Sequence, residues 1–375
     1  MTEAERRAAH WLEAWDAQGT HRTGTAGDAA GAEWLAVEAR ELGANVEIEE
    51  FRLDRLDPIA CHLAIDGRQI DGVPVFDAPP TGVDGISGRL GVEIAVAELS
   101  PRAVYSGAFQ QLRRGGEHRA LVVVCQGEAP GLGLINAEDF RAPYGAPAIH
   151  VSSDARDAVT AALRERRPAR LLSHSRRTSA RAVNIVTVLA GKDRRQPPLV
   201  VMTPRSSWWQ STAERGGGLV CWLESLRALR AEPPERDVLF TANSGHELGH
   251  LGLDEFLARR PGWDRPGGAT WVHYGANLGA AGSRLSLMSN DAELRRLGLA
   301  ELMRAGQPPD DIPPPTLVPS GETRDIHKAG GRYLTMVGSN PLFHLPQDRW
   351  PHSVDVAAAA RIAAASTRVV LALSR

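Results

Sequence analysis

The chain has 375 residues, of which 43% are hydrophobic and 23% charged, a composition typical of a globular protein with room for one large core or two smaller ones. Its formal net charge is −2 and no basic run is interleaved with aromatic residues, so we expect neither nucleic acid nor an anionic membrane as the main partner. The amino terminus is acidic and amphipathic, and we predict no segment long enough to span a bilayer, which favours a cytoplasmic protein. The three cysteines lie far apart and form no metal-ligand spacing.

The first fifty residues predict two helices followed by a strand. A helix is predicted near residues 3 to 17 and a second one through AAGAEWLAVEARELGA, which ends at Gly43. The alternating run VEIEEFRL then predicts a strand. Residues 1–53 therefore begin one domain with the order helix, helix, strand.

Residues 54–182 differ in pattern and predict a β-rich insert. Short strand-like runs such as LGVEIAVAEL and LVVVCQG are separated by Gly, Pro and Asp, and a helical pattern, DARDAVTAALRERR, lies near the end. We therefore predict that this segment forms a second unit, inserted into the first.

From residue 183 onward, apolar strand runs alternate with helical patterns. NIVTVLAG, PLVVMTP and DVLFTAN are strand-like, and GGGLVCWLESLRALRA is helical. This alternation predicts an α/β fold with a mixed, mostly parallel sheet and helices on both faces, formed by residues 1–53 and 183–375. Such sheets bind ligands at the carboxyl ends of their strands, so the candidate site lies there.

The motif SGHELGH (residues 244–250) has the His-Glu-x-x-His spacing of zinc-binding helices. That interpretation needs both histidines inside a helix, whereas His246 follows a strand and a Ser-Gly turn, and Gly249 and Gly252 weaken the helix that would align it with His250. No downstream Glu or His lies at the usual distance for a third ligand. A zinc helix is therefore disfavoured, and a structural histidine pair stays open.

Five strand-end motifs together resemble those of the zinc aminopeptidases, the family that also contains the glutaminyl cyclases. In chain order they are MTPRSSW, STAERGGG, SGHELGHLGL, HYGANLG and LFHLPQD, and HRTGT near the amino terminus resembles a further family motif. The resemblance covers nearly the whole chain and implies the aminopeptidase fold. The insert resembles the protease-associated domain that such enzymes carry as a lid.

The resemblance also implies that one of the family's two metals is lost. Pro204 and Ser206 stand where the family has a first-metal His and its supporting Asp, and Ala276 stands where it has a first-metal Asp. Arg205 and Arg215 flank that place, so we hypothesise that an arginine supplies the missing positive charge.

The second metal's ligand types are retained, according to the same resemblance. Glu214 replaces the bridging Asp, and Glu247 and His344 match the other two ligands. A Glu, Glu, His set can hold one Zn²⁺ with an open fourth position, so we predict one zinc ion here. The alternative for each glutamate is a carboxylate at a helix start with no metal.

His246 stands where the resemblance places the general base, a glutamate in the family. A neutral imidazole can accept a proton near pH 7, so we predict that His246 carries the proton. His250 falls at a family leucine position, and we expect it to be packed or exposed rather than a ligand. Glu322 falls where the family has a polar Ser-Asp pair, a weaker match.

The glycine run GGGLV (216–220) is not followed by Lys-Ser or Lys-Thr, as a phosphate-binding loop would be. Close helix packing therefore explains it as well as phosphate binding does.

Two functions follow from these matches and departures. The leading prediction is a metal-dependent hydrolase or acyl transferase that acts on an amide bond of a small peptide-like substrate through one zinc-type ion. The alternative is a metal-free pseudoenzyme that binds a peptide or a partner protein in the inherited cleft. Convergence of Glu214, Glu247 and His344 on one point would favour the enzyme, and an Arg215 salt bridge at that point would favour the binding protein.

Overall fold

A computed structural model describes the backbone of residues 1–375 and the side chains of all of them except residues 104 and 105. The helices are α1 Glu3–Asp16, α2 Ala26–Glu41, α3 Gly107–Arg114, α4 Arg156–Arg164, α5 Thr212–Ala231, α6 Leu251–Ala258, α7 Ala292–Arg304, α8 Thr323–Ala329 and α9 Val356–Leu373. The strands are β1 Val46–Ile65, β2 Arg68–Pro74, β3 Ile86–Arg89, β4 Ile94–Leu99, β5 Ala120–Cys125, β6 Ala148–Val151, β7 Pro168–Leu189, β8 Leu199–Pro204, β9 Val238–Asn243, β10 Thr270–Tyr274, β11 Leu285–Ser289 and β12 Arg332–Gly338.

The strands form one mixed sheet in the order β11-β12-β10-β8-β9-β7-β1-β2-β6-β5-β4, with β3 added beside β7. In the main half, β12, β10, β8 and β9 run parallel to one another, while β11 and β7 flank them in antiparallel orientation. Parallel strands place their carboxyl ends at the same edge, which is where the candidate site residues follow.

Helices cover both faces of the main sheet, as the continuous apolar strands predict. Successive residues of β8 show this directly. Leu199 and Val201 lie in the core under α1, α2, α5 and α9, whereas Val200 and Met202 lie in the core under α6 and α8. The predicted α/β fold, with a mixed and mostly parallel sheet between two helical layers, is confirmed.

Two very long strands connect the main sheet to the insert. β1 has 20 residues and β7 has 22, and they pair in antiparallel fashion from Val46 beside Thr187 to Ile65 beside Ala169. The predicted boundaries, 53/54 and 182/183, fall inside these strands. The sheet of the insert is therefore a continuation of the main sheet, although the insert has apolar cores of its own around β4, β5 and β6.

One helix corrects the prediction about membrane-spanning length. α9 has 18 residues and is apolar enough to cross a membrane by length and composition alone, and half of it is buried inside the protein. Five of its buried residues belong to the core shared with α5: Ile362, Ala363, Ala365, Val369 and Val370. A helix that fills a core has the same composition, so this packing accounts for the apolar sequence.

Candidate functional site

A cavity of about 130 Å³ lies at the carboxyl ends of the parallel strands. His273 belongs to β10, His246 follows β9, and Asn277 and His344 come from the loops after β10 and β12. The insert contributes Asn136 to the same wall. The predicted edge of the sheet therefore does carry a concave site, and the insert closes part of it.

The loop after β12 brings His344 to Glu214. Asp348 in this loop accepts hydrogen bonds from the backbone N–H groups of Ala213 and Glu214, which caps the first turn of α5. His344 has a left-handed backbone (φ 62°), and its Nδ1–H donates to the Leu134 carbonyl at 2.6 Å. Its Nε2 then lies 3.5 Å from Glu214 Oε1. Two members of the predicted zinc trio are thus adjacent.

Arg215 occupies the space beside this pair. Its guanidinium Nη2 lies 2.7 Å from Glu214 Oε1, and both side chains are fully buried. Its Nε donates to the Ser206 carbonyl at 2.7 Å. Burial alone would raise the pKa of the Glu214 carboxyl, but the charges of Arg215 and then His344 hold it at about 2. An arginine therefore supplies positive charge next to the predicted metal position.

Arg205, the other arginine considered as a source of the missing positive charge, forms a different ion pair. Its guanidinium donates to the Asp28 carboxylate at 2.8 Å and to the Val183 carbonyl at 2.6 Å, and it is fully buried. It ties α2 to the sheet, away from Glu214.

Glu247 does not join the pair. Its Oε1 accepts from the backbone N–H and the hydroxyl of Thr23, each at 2.7 Å, and its Oε2 accepts from the Ser206 hydroxyl at 2.6 Å. Both carboxylate oxygens are therefore already satisfied, and the side chain anchors the amino-terminal segment HRTGT to the turn after β9. Glu214 Oε1, Glu214 Oε2 and His344 Nε2 have no hydrogen-bond partner among the described atoms, whereas Glu247 is engaged elsewhere and Arg215 lies 2.7 Å from Glu214. Zinc on this trio therefore stays a prediction.

The anchor makes a stability prediction. Changing Glu247 to Ala should lower the free energy of unfolding by about 3 kcal/mol or more, because three buried donors on Thr23 and Ser206 lose their acceptor. Glu247→Gln keeps one acceptor oxygen for Thr23 and should cost about half as much. Denaturant unfolding at pH 7 checks both values, and equal losses for the two variants would contradict the anchor.

His246 lies in the cavity wall and faces Glu322. It begins a short turn after the Ser244-Gly245 pair, and its Nδ1–H donates to Glu322 Oε1 at 2.9 Å. Burial and then the charge of Arg215 lower the pKa of His246 to about 4. The ring is therefore neutral at pH 7, and the role predicted for it in proton transfer stays a prediction.

Two further side chains, His250 and His273, surround Glu322. His250 was expected to be either packed or exposed, and it is buried. Its ring centroid lies 5.2 Å from that of His246. His273 Nε2 lies 3.4 Å from Glu322 Oε2. One candidate ligand atom from each of His246, His250 and Glu322 lies within 4.8 Å of the others.

The sequence offered only a partial signal for this group. The His-Glu-x-x-His spacing was visible, but the two imidazoles meet through a turn rather than a helix: Gly245, Gly249 and His250 all have positive φ values, and α6 starts only at Leu251. Gly249, one of the two glycines that argue against a helix, permits this turn together with Gly245. Glu322 comes from a segment about seventy residues away, and its proximity to His246 has no local signature.

Solved structures with a similar fold cover nearly the whole chain. A zinc aminopeptidase from Bacillus subtilis has a TM-score of 0.80 at 18% identity, with 99% of this chain and 95% of that chain covered. An aminopeptidase from Aneurinibacillus sp. strain AM-1 has a TM-score of 0.74 at 14% identity, covering 100% and 94% of the two chains. A peptidase M28 precursor from Shewanella amazonensis SB2B has a TM-score of 0.77 at 12% identity, covering 100% and 95%. The resemblance to these proteins is confirmed in the fold. No protein-family model matches the chain, and no curated protein matches it in sequence.

Proposed function

We propose that this chain, which has the fold of the zinc aminopeptidases, is a hydrolase that acts on an amide bond of a small peptide-like substrate in the strand-end cavity. The cavity's volume of about 130 Å³ is similar to the roughly 150 Å³ cavities that hold one benzene-sized molecule. It would therefore accept one side chain or one terminal residue rather than an extended peptide.

The observation that carries this proposal is a set of unsatisfied polar atoms in the cavity wall. Asn277 Oδ1 is buried and has no hydrogen-bond partner among the described atoms. His273 Nε2 and His344 Nε2 are also buried, and each lies near a carboxylate oxygen, at 3.4 and 3.5 Å, without meeting the geometry of a hydrogen bond. Buried polar groups are normally paired, so unpaired ones that converge on a cavity indicate a polar ligand. The N–H of an amide can donate to Asn277 Oδ1 or to an unprotonated ring Nε2, and a ring Nε2 that carries a proton can donate to the amide carbonyl.

The activity test uses untagged protein purified without chelator and then supplied with Zn²⁺. We expect release of product from at least one class among aminoacyl p-nitroanilides, amino acid amides and N-blocked dipeptides. His246→Gln should lower kcat/KM by about 100-fold or more, because His246 faces the cavity and the predicted proton transfer would need it. His10→Gln, an exposed change on α1, is the matched control and should leave the rate unchanged.

A second candidate function is binding without catalysis, and it has the support of both criteria drawn from the sequence, because Glu247 is engaged with Thr23 and Ser206 and Arg215 forms a salt bridge with Glu214. The 2.7 Å contact between Arg215 and Glu214 favours it, because a fixed guanidinium can replace a metal's charge in holding a cleft together without supplying an open coordination position. Calorimetry with the same amides separates the two functions. Binding heat with no turnover supports the binding protein, and the absence of both heat and turnover across the panel contradicts the amide proposal.

A further inference from the structure

We propose that His246, His250 and Glu322 form a binding site for a divalent transition-metal ion, Zn²⁺ in the first place, at a position different from the trio that the sequence predicts. One candidate ligand atom from each lies within 4.8 Å of the other two, and all three residues are buried. None of the three stands at a position that the family resemblance assigns to a metal ligand. The inference concerns metal binding alone and does not depend on the amide substrate.

The dimensions of the group suit zinc. Zinc binds nitrogen and oxygen ligands at about 2.0–2.1 Å, so tetrahedral ligand atoms stand roughly 3.4 Å apart when the ion is bound. The widest separation would therefore contract from at most 4.8 Å by about 1.4 Å on binding. Two imidazoles with one carboxylate is also a donor set that a catalytic zinc uses, with a fourth position left open.

His250 has the hydrogen bonding of a preorganised metal ligand. Its Nδ1–H donates to Asp325 Oδ2 at 2.6 Å, while its Nε2 is buried and unpartnered in the part of the chain that the structure describes. Histidine ligands usually donate the N–H of the other ring nitrogen to a carboxylate or a carbonyl, which fixes the tautomer and the ring orientation. The carboxylate of Asp325 holds the Nε2 lone pair of His250 in place for an ion.

His273 also has one ring nitrogen in a hydrogen bond and the other near Glu322. Its Nδ1 lies 2.7 Å from the Thr335 hydroxyl, and its Nε2 lies 3.4 Å from Glu322 Oε2. Within the described residues, neither His273 Nε2 nor Glu322 Oε2 has a hydrogen-bond partner. An ion bound to Glu322 would thus have His273 as an additional nitrogen ligand within reach.

Left-handed backbone conformations shape the segments that carry these rings. Gly321, next to Glu322, has φ +70°, a conformation that favours glycine, and it packs against the Cε1 atoms of both His246 and His273. Gly245 and Gly249 adopt positive φ values on either side of His246. The turn and the glycine together place three imidazoles around one carboxylate.

Metal content is the first test. Untagged protein purified without chelator should contain about one zinc-like ion per chain, and metal-free protein should take up one Zn²⁺ in competition with a chromophoric chelator. His250→Gln and Glu322→Gln should each weaken Zn²⁺ binding by about 100-fold or more, and Asp325→Asn by about 10- to 100-fold. Glu214→Gln and His344→Gln, the matched changes in the sequence-predicted trio, should leave the affinity within about threefold.

X-ray absorption of the zinc-loaded parent protein keeps the proposal testable if a variant does not fold. The site proposed here gives two or three imidazole ligands, whereas the Glu214, Glu247, His344 trio gives one. No zinc uptake by the parent, one imidazole ligand, or loss of zinc in Glu214→Gln or His344→Gln but not in His250→Gln would each overturn the proposal. Because none of these readouts is a reaction rate, a failure of the amide proposal leaves them unaffected.

Discussion

Replacing Arg215 with Met should lower the free energy of unfolding at pH 7 by about 3–5 kcal/mol, as when one partner of a buried ion pair is removed. Arg215 and Glu214 are both fully buried and lie 2.7 Å apart, so the substitution leaves a carboxylate without its main compensating charge. It also removes the donor to the Ser206 carbonyl. Denaturant unfolding of the metal-free protein measures the loss.

A second substitution identifies the cause. Glu214→Gln in the Arg215→Met background should recover most of the lost stability, because the pair is then replaced by neutral groups. Arg205→Met is the matched control: its partner is Asp28, so it should be about as destabilising, yet Glu214→Gln should not rescue it. If Glu214→Gln rescued both variants or neither, the Arg215 prediction would be wrong.

The pH dependence of the same variants has a definite sign. In the parent, the pKa of Glu214 is about 2, below its ordinary value of 4.5, so its ionised form contributes stability that is present above pH 4.5 and lost as the pH falls through about 2. Without Arg215, burial raises that pKa, and the ionised form becomes costly as the pH rises. The difference in stability between parent and variant should therefore grow from pH 4.5 to pH 7.

The fold could be predicted because its signals are local. The runs that form β8, β9, β10 and β12 are apolar, short and bounded by polar residues, and the order of the strand-end motifs fixes which loop follows which strand. The insert boundary is less visible, because β1 and β7 pass from one half of the sheet to the other without a break in strand pattern.

The adjacency of Glu214 and His344 could be predicted only from the family motifs, because the contact that brings them together joins residues 135 positions apart. Glu214 and His344 meet because Asp348, four residues after His344, caps the helix that carries Glu214. Glu247 matched a ligand position by type, but its partner Thr23 is 224 residues away along the chain, and no residue pattern reveals that contact. Glu322 beside His246 is the same kind of long-range contact, 76 residues apart.

The glycines at 216 to 218 place the site's helix, as the sequence interpretation of close packing anticipates. A Cβ on Gly217 would lie 1.6 Å from the Leu278 carbonyl oxygen and 2.6 Å from its carbon, which are backbone atoms of the loop after β10. In the same loop, the Asn277 N–H donates to the Glu214 carbonyl at 2.9 Å. The helix that carries Glu214 and the loop that carries Asn277 are therefore in direct backbone contact.

Gly217→Ala should consequently destabilise the protein by about 3 kcal/mol or more, since neither backbone segment can move aside without breaking its hydrogen bonds. The substitution should also weaken the binding of any ligand that contacts Asn277, because the loop that carries Asn277 must shift.

Gly216→Ala is the matched control in the same helix. Its Cβ would meet Leu12 Cδ2, the end of a rotatable side chain, at 2.4 Å, and the helix propensity of Ala over Gly, about 1 kcal/mol, offsets part of the cost. Equal unfolding free energies for the two alanine variants would show that the loop at Leu278 can move away from the helix at little cost. The backbone contact between Gly217 and Leu278 would then not determine the shape of the cavity.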